Sequence, residues 1–413
     1  MFNLTICSLN YLPELTGIGK YNGELTSELI EKGIYVTAVV APPYYPEWQI
    51  HQGYKRFWFN KQNIEGVNVI RCPLYVPAKV TTVKRVIHLV SFACTSALAL
   101  VSRLSSKPDI IMLVQPTLFC APFTLFYAKI TGAKTVMHIQ DYEIDALFGL
   151  GMLGDGPLTK LAKVLERWLM KRFDAVSTIS YSMIENAKAK GVDADKIIHF
   201  PNWSDIDFVT PETNGDALKA EWGFASDDKI ILYAGNIGNK QGLDIVLQAA
   251  KFFASQEAIK FVLVGSGAYV DSLKSQASSM QLANVFFKPL QPWARVPEML
   301  SLADVHLVVQ KKGAADAVLP SKLTNILSAG GHAIVTAEGY TELGQIAAKY
   351  PGIYDCVEPE NTDAFIAGLN SLLNKDLSQP NRVARRFAEQ FLSKKQIIDQ
   401  FVSDLTALVQ SKP

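Results

Sequence analysis

The sequence predicts an α/β protein made of two parallel-sheet domains, each with helices on its sheet faces. Three observations carry this. Short β-rich runs alternate with helical stretches from end to end. The alternation breaks once, at 201–216 (PNWSDIDFVTPETNGD), where Pro, Asn, Ser, Asp and Gly dominate as they do in linkers. A length of 413 residues exceeds one ordinary core and suits two.

In the first half, strands are expected at 3–9, 35–41, 67–72, 109–114, 134–139, 175–179 and 196–200. Helices are expected between most of them, at 20–32, 80–104, 118–130, 157–172 and 181–190. Such alternation implies a parallel sheet with crossover helices. The aromatic, Pro-rich segment 42–66 is too long for an ordinary connector, which marks it as a candidate functional loop. After the linker, strands are expected at 229–234, 260–264, 284–287, 304–309 and 332–336. Helices are expected at 241–254, 268–279, 294–302, 321–329 and 361–374, and the C-terminal tail reads as helical with a break near Lys394. The expected domains are 1–203, 204–390 and a C-terminal helix, 391–413, packing back on the first. Ligands of such sheets bind outside the carboxyl ends of the strands, here in a cleft where the two domains face each other.

Hydrophobic residues at 49% and charged residues at 19% exclude disorder over most of the chain. A net charge of +1 excludes a strong whole-protein field for nucleic acid. Residues 1–205 hold 21 Lys/Arg against 17 Asp/Glu, so the small basic excess lies in the first half. The five cysteines, at 7, 72, 94, 120 and 356, form no C-x-x-C pair and read as reduced thiols of a cytosolic protein. Six scattered histidines without H-E-x-x-H imply no metal site. The N-terminus lacks the basic n-region of a signal peptide. The most apolar run, 86–101 (VIHLVSFACTSALALV), falls short of the ~18–20 residues that span a bilayer.

Several motifs sit where strands end. Thr16-Gly17-Ile18-Gly19-Lys20 opens a helix, where glycines let backbone N–H groups approach an anion. With Gly23 the spacing invites a dinucleotide reading. The long preceding loop and the absence of an acid after Val40-Ala41-Pro42 count against it, and a helix-entry turn without ligand is the plain alternative. Gly235-Asn236-Ile237-Gly238-Asn239-Lys240-Gln241-Gly242 is a second glycine turn. Lys240 there sits at a helix start, where a cation opposes the dipole unless an anion offsets it. Val264-Gly265-Ser266-Gly267 is a third turn. In Leu319-Pro320-Ser321-Lys322-Leu323-Thr324-Asn325, Pro-Ser starts a helix, and Ser321 and Asn325 share a face beside Lys322. That grouping suits the hydroxyls and phosphates of a nucleotide. His138-Ile139-Gln140-Asp141-Tyr142-Glu143-Ile144-Asp145 ends a strand with an unusual density of ionisable groups. It suits hydrogen bonding to substrate hydroxyls or proton transfer, while a lone histidine also serves as a satisfied core residue.

Together these motifs resemble glycosyltransferase family 4, whose members have the GT-B fold and retain anomeric configuration. The similarity spans the chain, through Thr16–Lys20, Pro201-Asn202-Trp203, Tyr233–Gly242, Val264–Gly267, Ala303-Asp304-Val305 and Pro320–Gly330. The wording LTGIGKY, AGNIGNKQGL and LPSKLTNILSAGG is similar to colanic-acid and related exopolysaccharide transferases, and within them to the GDP-fucose-using type. The resemblance implies a nucleotide-sugar donor, a lipid-linked saccharide acceptor and no cofactor or metal. It implies a donor set of Gly17, Gly19, Gly235, Asn236, Lys240, Gly265, Ser321, Lys322, Leu323 and Asn325. It assigns chemistry to His138, Asp141 and Lys240, with His138 against the transferred sugar, and acceptor contacts to Glu143 and Asp145. Two features depart from the family pattern. The arginine that often follows the first glycine after the first strand of the second domain is Asn236. Of the Glu-x7-Glu pair, the second position is Asn325 and the first falls near Ala317, beside Asp316.

A lipid-linked acceptor implies a cytoplasmic protein held peripherally on the inner membrane. Residues 79–103, with Lys79, Lys84 and Arg85 ahead of the apolar run, and the aromatics Trp48, Phe57, Trp58 and Phe59 are the expected contacts with anionic lipid. A buried core helix is the competing reading of 86–101. A nucleotide-sugar epimerase, a non-catalytic binding component and a dehydrogenase are the competing functions.

Overall fold

A computed structural model describes residues 2–14, 17–79, 81–142, 156–312 and 319–411. Contacts divide the chain into two units, Met1–Pro201 with Ile398–Pro413, and Asn202–Ile397.

The first unit holds β1 (Asn3–Ser8), β2 (Tyr35–Val40), β3 (Asn60–Ile64), β4 (Val67–Arg71), β5 (Ile110–Gln115), β6 (Lys134–Ile139), β7 (Ala175–Thr178) and β8 (Ile197–His199). They form one sheet in the order β3-β4-β2-β1-β5-β6-β7-β8. Every pairing is parallel except β3 with β4. Central strands are apolar throughout because both faces are covered: β5 (IIMLVQ) is buried at every position. Strand β3 was not expected. Its sequence NKQNI has no apolar run, since it is an edge strand with no buried position. It joins β4 through Glu65 and Gly66, both at positive φ, as tight hairpin turns require.

Among the described residues the helices between these strands are α1 (Gly17–Glu31), α2 (Thr82–Val101), α3 (Ala121–Thr131), α4 (Pro157–Met170) and α5 (Tyr181–Ala189). The Thr81 hydroxyl caps α2 by accepting from the Lys84 N–H. At 20 residues α2 is long and apolar enough to cross a bilayer by length and composition alone, longer than the run the sequence singled out. It nevertheless packs one face, including His88, Phe92, Ser96 and Leu100, into the domain. His88 bonds the Tyr75 carbonyl at 2.7 Å and the Tyr44 hydroxyl at 3.2 Å. The opposite face, with Val83, Ile87, Leu98 and Val101, is exposed, so the helix is not buried all round. From Ile398 onward the C-terminal helix Lys394–Gln410 belongs to this unit. Phe401 stacks on Phe200 with ring centroids 3.7 Å apart, and Asp399 pairs with Lys32.

The second unit holds β9 (Lys229–Ala234), β10 (Ile259–Val264), β11 (Val285–Lys288), β12 (Val305–Val308), β13 (Ala333–Thr336) and β14 (Asp355–Val357). They form an all-parallel sheet in the order β11-β10-β9-β12-β13-β14. Its helices are α6 (Asp216–Glu221), α7 (Asp244–Phe252), α8 (Val270–Ser279), α9 (Val296–Ser301), α10 (Ser321–Ser328), α11 (Glu342–Lys349), α12 (Thr362–Leu373) and α13 (Arg382–Phe391). Phe253, Phe261 and Phe365 fill one core, and Leu323, Leu327, Val335 and Phe387 fill another. The elements β14, α6 and α11, all short, were not expected.

Candidate functional site

In the second unit, the turns after β9 and β10 meet backbone to backbone. The Gly235 N–H donates to the Val264 carbonyl at 2.9 Å, and the Ile237 N–H to the Ser266 carbonyl at 2.8 Å. Gly265 sits at φ +154°, and a Cβ there would fall 1.9 Å from the Gly235 oxygen. No side chain is compatible with that approach. The turn-fixing hydroxyl of Tyr233 donates to the Asn236 carbonyl at 2.6 Å.

Helix α10 brings Lys322 to this double turn. Its ammonium lies 4.0 Å from the Tyr233 ring centroid and beside the place a Gly235 Cβ would occupy. Lys322 is half-buried and makes no ion pair among the described residues. Desolvation pulls its pKa from 10.5 to about 7. A cation that is desolvated without a carboxylate, in contact with an aromatic face, is poised for an anion that arrives from outside. Asn325 lies one turn further along α10 and accepts a hydrogen bond from the Ser204 hydroxyl at 2.8 Å. Ser321 is exposed at the mouth of the helix.

Other residues fall differently. Lys240 lies in the short 3-10 turn Asn239–Gln241, exposed, with its carbonyl accepting from the Lys311 N–H. The Leu323 side chain is fully buried in the core and its N–H donates to the Pro320 carbonyl at 2.8 Å.

In the first unit, the G-x-G-x-x-x-G spacing has a packing cause. A Cβ on Gly19 would meet Glu14 Cβ at 2.7 Å, and one on Gly23 would meet Leu12 Cγ at 2.4 Å. These two glycines let the loop after β1 lie on α1, so Gly19 is buried against protein and not open to an anion. Gly17, at φ +56° with nothing near its Cβ position, is exposed. It lines a pocket of about 200 Å³ with Asn10, Tyr44, Tyr45, Trp48 and Arg85. Beneath it the buried Glu14 accepts the Tyr44 and Tyr45 N–H groups at 2.8 and 2.9 Å and the Asn10 amide at 2.9 Å. Burial raises the Glu14 pKa against the pull of those bonds. Trp48 is half-buried at φ +54°, 5.2 Å from the His88 ring, with the Arg85 guanidinium 5.2 Å above its own ring. Trp48 and Arg85, read from sequence as membrane contacts, therefore face a pocket. Their partnership was illegible because it joins the aromatic loop to the first turn of α2.

His138 lies inside the first sheet. It is buried in β6, its Nδ1 is 2.9 Å from the Ser177 hydroxyl and its Nε2 is 2.9 Å from the Gln140 amide nitrogen. Burial lowers its pKa to about 3, so the ring is neutral. Both ring nitrogens are engaged within the fold. Asp141 is exposed just beyond β6, while Glu143 and Asp145 lie outside the described residues. No cluster of metal-ligating side chains occurs among the described residues.

Two Rossmann-like parallel-sheet domains, one carrying a glycine double turn answered by a helix-borne lysine, define the GT-B class. The sucrose-phosphate synthase of Thermosynechococcus elongatus has this fold, with TM-score 0.76 at 13% identity, covering 99% of each chain. So does Anabaena Alr3699/HepE in complex with UDP, with TM-score 0.70 at 13% identity, covering 98% of this chain and 100% of that one. The model of the glycosyl transferase 4-like domain matches residues 16–203, and that of glycosyl transferases group 1 matches residues 215–390. The chain is 47% identical over 407 residues to the putative colanic acid biosynthesis glycosyl transferase WcaI of Escherichia coli (strain K12), covering 97% of this chain and 99% of the relative. The chain belongs to glycosyltransferase family 4.

Proposed function

We propose that this enzyme transfers a sugar, with retention, from a nucleotide-sugar to a lipid-linked saccharide in the synthesis of a colanic-acid-type exopolysaccharide. The observation that carries the donor reading is the desolvated Lys322 over Tyr233 at the Gly235–Gly265 double turn, without an acid partner among the described residues. A donor diphosphate there supplies the missing counter-charge, and charge that builds on the departing diphosphate is stabilised by the same cation. The UDP complex of Anabaena Alr3699/HepE, which shares the fold, supports a nucleotide-sugar donor, and the resemblance of LTGIGKY, AGNIGNKQGL and LPSKLTNILSAGG to GDP-fucose-using transferases makes GDP-fucose the first donor to test. Trp48, Tyr45, Asn10 and Arg85 suit an acceptor sugar, with a ring face on the aromatics and hydroxyls on the polar groups. A lipid-linked acceptor makes the enzyme a peripheral protein of the inner membrane face.

The test begins with a thermal-shift screen against GDP- and UDP-sugars, because a ligand that binds only the folded state raises stability. The stabilising donor, radiolabelled in its sugar, is then incubated with lipid-linked oligosaccharide from a strain lacking the enzyme. Label appearing in the lipid phase supports the reading. Conversion of the donor without any acceptor would make the protein an epimerase, and binding without turnover would make it a non-catalytic component.

A further inference from the structure

In the first unit, α4 carries an apolar stripe on its outer side. Leu161, Val164, Leu165 and Trp168 are 63%, 61%, 48% and 50% exposed, at the spacing of a single helix face. The inward side is occupied by Thr159, Glu166, Leu169 and Met170, so the stripe is surplus to the fold. Exposed Lys160, Arg167, Lys171 and Arg172 flank it, with the Arg172 guanidinium 4.0 Å over the Trp168 ring. Glu166, the one acid of this helix, is buried and paired with Lys190, and does not offset them.

The neighbouring helix extends the surface. Strands β5, β6 and β7 are adjacent and parallel, and right-handed crossovers place α3 and α4 side by side on one face of the sheet. Phe123, Phe126 and Ile130 of α3 are exposed, and α3 carries Lys129 and no acid. Soluble monomers rarely leave so many large apolar side chains on neighbouring helices in water.

We propose that the outer faces of α3 and α4 dock this enzyme on an anionic lipid surface, with α4 lying in the headgroup layer. This rests on the peripheral-membrane reading above and moves its seat from α2 and the aromatic loop. The choice of lipid over a protein partner follows from charge. An apolar stripe edged by basic side chains matches acyl chains beneath anionic headgroups.

The test is co-sedimentation of the full chain with vesicles of phosphatidylethanolamine and phosphatidylglycerol, against phosphatidylcholine alone. Binding is expected to the anionic vesicles and to weaken as salt rises. The double variant Leu165→Glu/Trp168→Glu should lower partitioning at least tenfold, to order of magnitude. Lys160→Glu/Lys171→Glu, which alters only exposed positions, should do likewise and covers misfolding of the first variant. Phe252→Glu, an equally exposed apolar position in the second unit, should bind as wild type. The proposal is overturned if the wild type stays in the supernatant at low salt, or if both α4 variants bind normally. It is also overturned if light scattering shows a dimer that the α4 variants dissolve while vesicles go unbound. Donor thermal shifts on the same samples keep the readings apart: they persist if only membrane docking fails, and their absence in the wild type counts against the transferase reading alone.

Discussion

Replacing Lys322 with methionine separates two opposed electrostatic terms. The Lys322 ammonium is desolvated with no acid beside it among the described residues, and its pKa falls from 10.5 to about 7. Between these values the unfolded chain holds more protons than the folded one, so stability rises with pH there, and the penalty is fully expressed below pH 7. Lys322→Met removes it. Allowing for the side chain's partial exposure, the gain at pH 6 is on the order of 1–2 kcal/mol, or roughly 2–8 °C in the melting of a unit this size, and vanishes above the unfolded pKa. Donor binding moves the other way. A diphosphate next to Lys322 favours its charged form, so binding takes up a proton above pH 7, and affinity weakens by up to about tenfold per pH unit until the pKa of the complex is reached. The nucleotide-sugar diphosphate does not titrate in this range, so below the pKa of the base's ring N–H the profile belongs to the protein. At pH 6.5 Lys322→Met should lose about 1.5–3 kcal/mol of donor affinity, roughly 10- to 150-fold, and should show a flat profile. Calorimetry at several pH values, repeated in buffers of different ionisation enthalpy, reads both affinity and proton uptake. A wild-type affinity constant from pH 6 to 9, with the methionine variant within twofold of it, would refute the reasoning.

Lys240 is exposed, so Lys240→Ala should weaken donor binding by only about 0.2–1 kcal/mol, less than Lys322→Met, and titration of both variants side by side decides which cation carries the diphosphate. Gly265→Ala puts a Cβ 1.9 Å from a carbonyl oxygen at a φ that side chains avoid. It should destabilise the second unit by about 3 kcal/mol or more, read as a melting transition lowered by roughly 6–12 °C or as loss of soluble protein. Transfer activity should survive EDTA, because the described residues hold no ligand cluster and the cationic side chain serves the diphosphate. Loss of activity with rescue by Mn²⁺ or Mg²⁺ would overturn that expectation.

The strands of both sheets were legible because buried parallel strands are continuous apolar runs, as in IIMLVQ of β5 and IKFVLV of β10. Where that cause is missing the elements were invisible. β3 is polar and at an edge, and β14 spans only Asp355–Val357. Motif residues were legible as residue types but not as contacts. Gly19 and Gly23 stood out by spacing, yet their purpose depends on Glu14 and Leu12 pressing on α1. His138 stood out by its polar neighbours, yet Ser177, from the adjacent strand, completes its hydrogen bonding. Trp48 and Arg85 each suggested a membrane, and only the fold turns them towards one another. The stripe of α4 was legible in LTKLAKVLERW by period, but periodicity cannot say that the second apolar face remains uncovered.

The position after the first glycine of the turn that follows β9 carries Asn236 where the family often has arginine, and its carbonyl is occupied by the Tyr233 hydroxyl. The cation instead arrives from α10, as a lysine. The two residue types differ in consequence. An arginine keeps its charge at any working pH, whereas a desolvated lysine sheds its proton when no anion is present. On the proposed donor reading, Lys322 sheds an uncompensated charge over Tyr233 in the free protein and regains it on donor binding. Lys322→Arg should therefore keep donor affinity at pH 6.5 within a few-fold, since a guanidinium also stacks on an aromatic face. It should abolish the fall in affinity above pH 7. The variant should melt below wild type at pH 8, where the lysine is mostly neutral and the arginine is not, by a few tenths of a kcal/mol, roughly a third of the discounted penalty per pH unit above 7. Denaturation scans of the free protein and donor titrations at pH 6.5 and 8.5 test both halves. An arginine variant whose affinity still falls with pH would place the titrating group elsewhere.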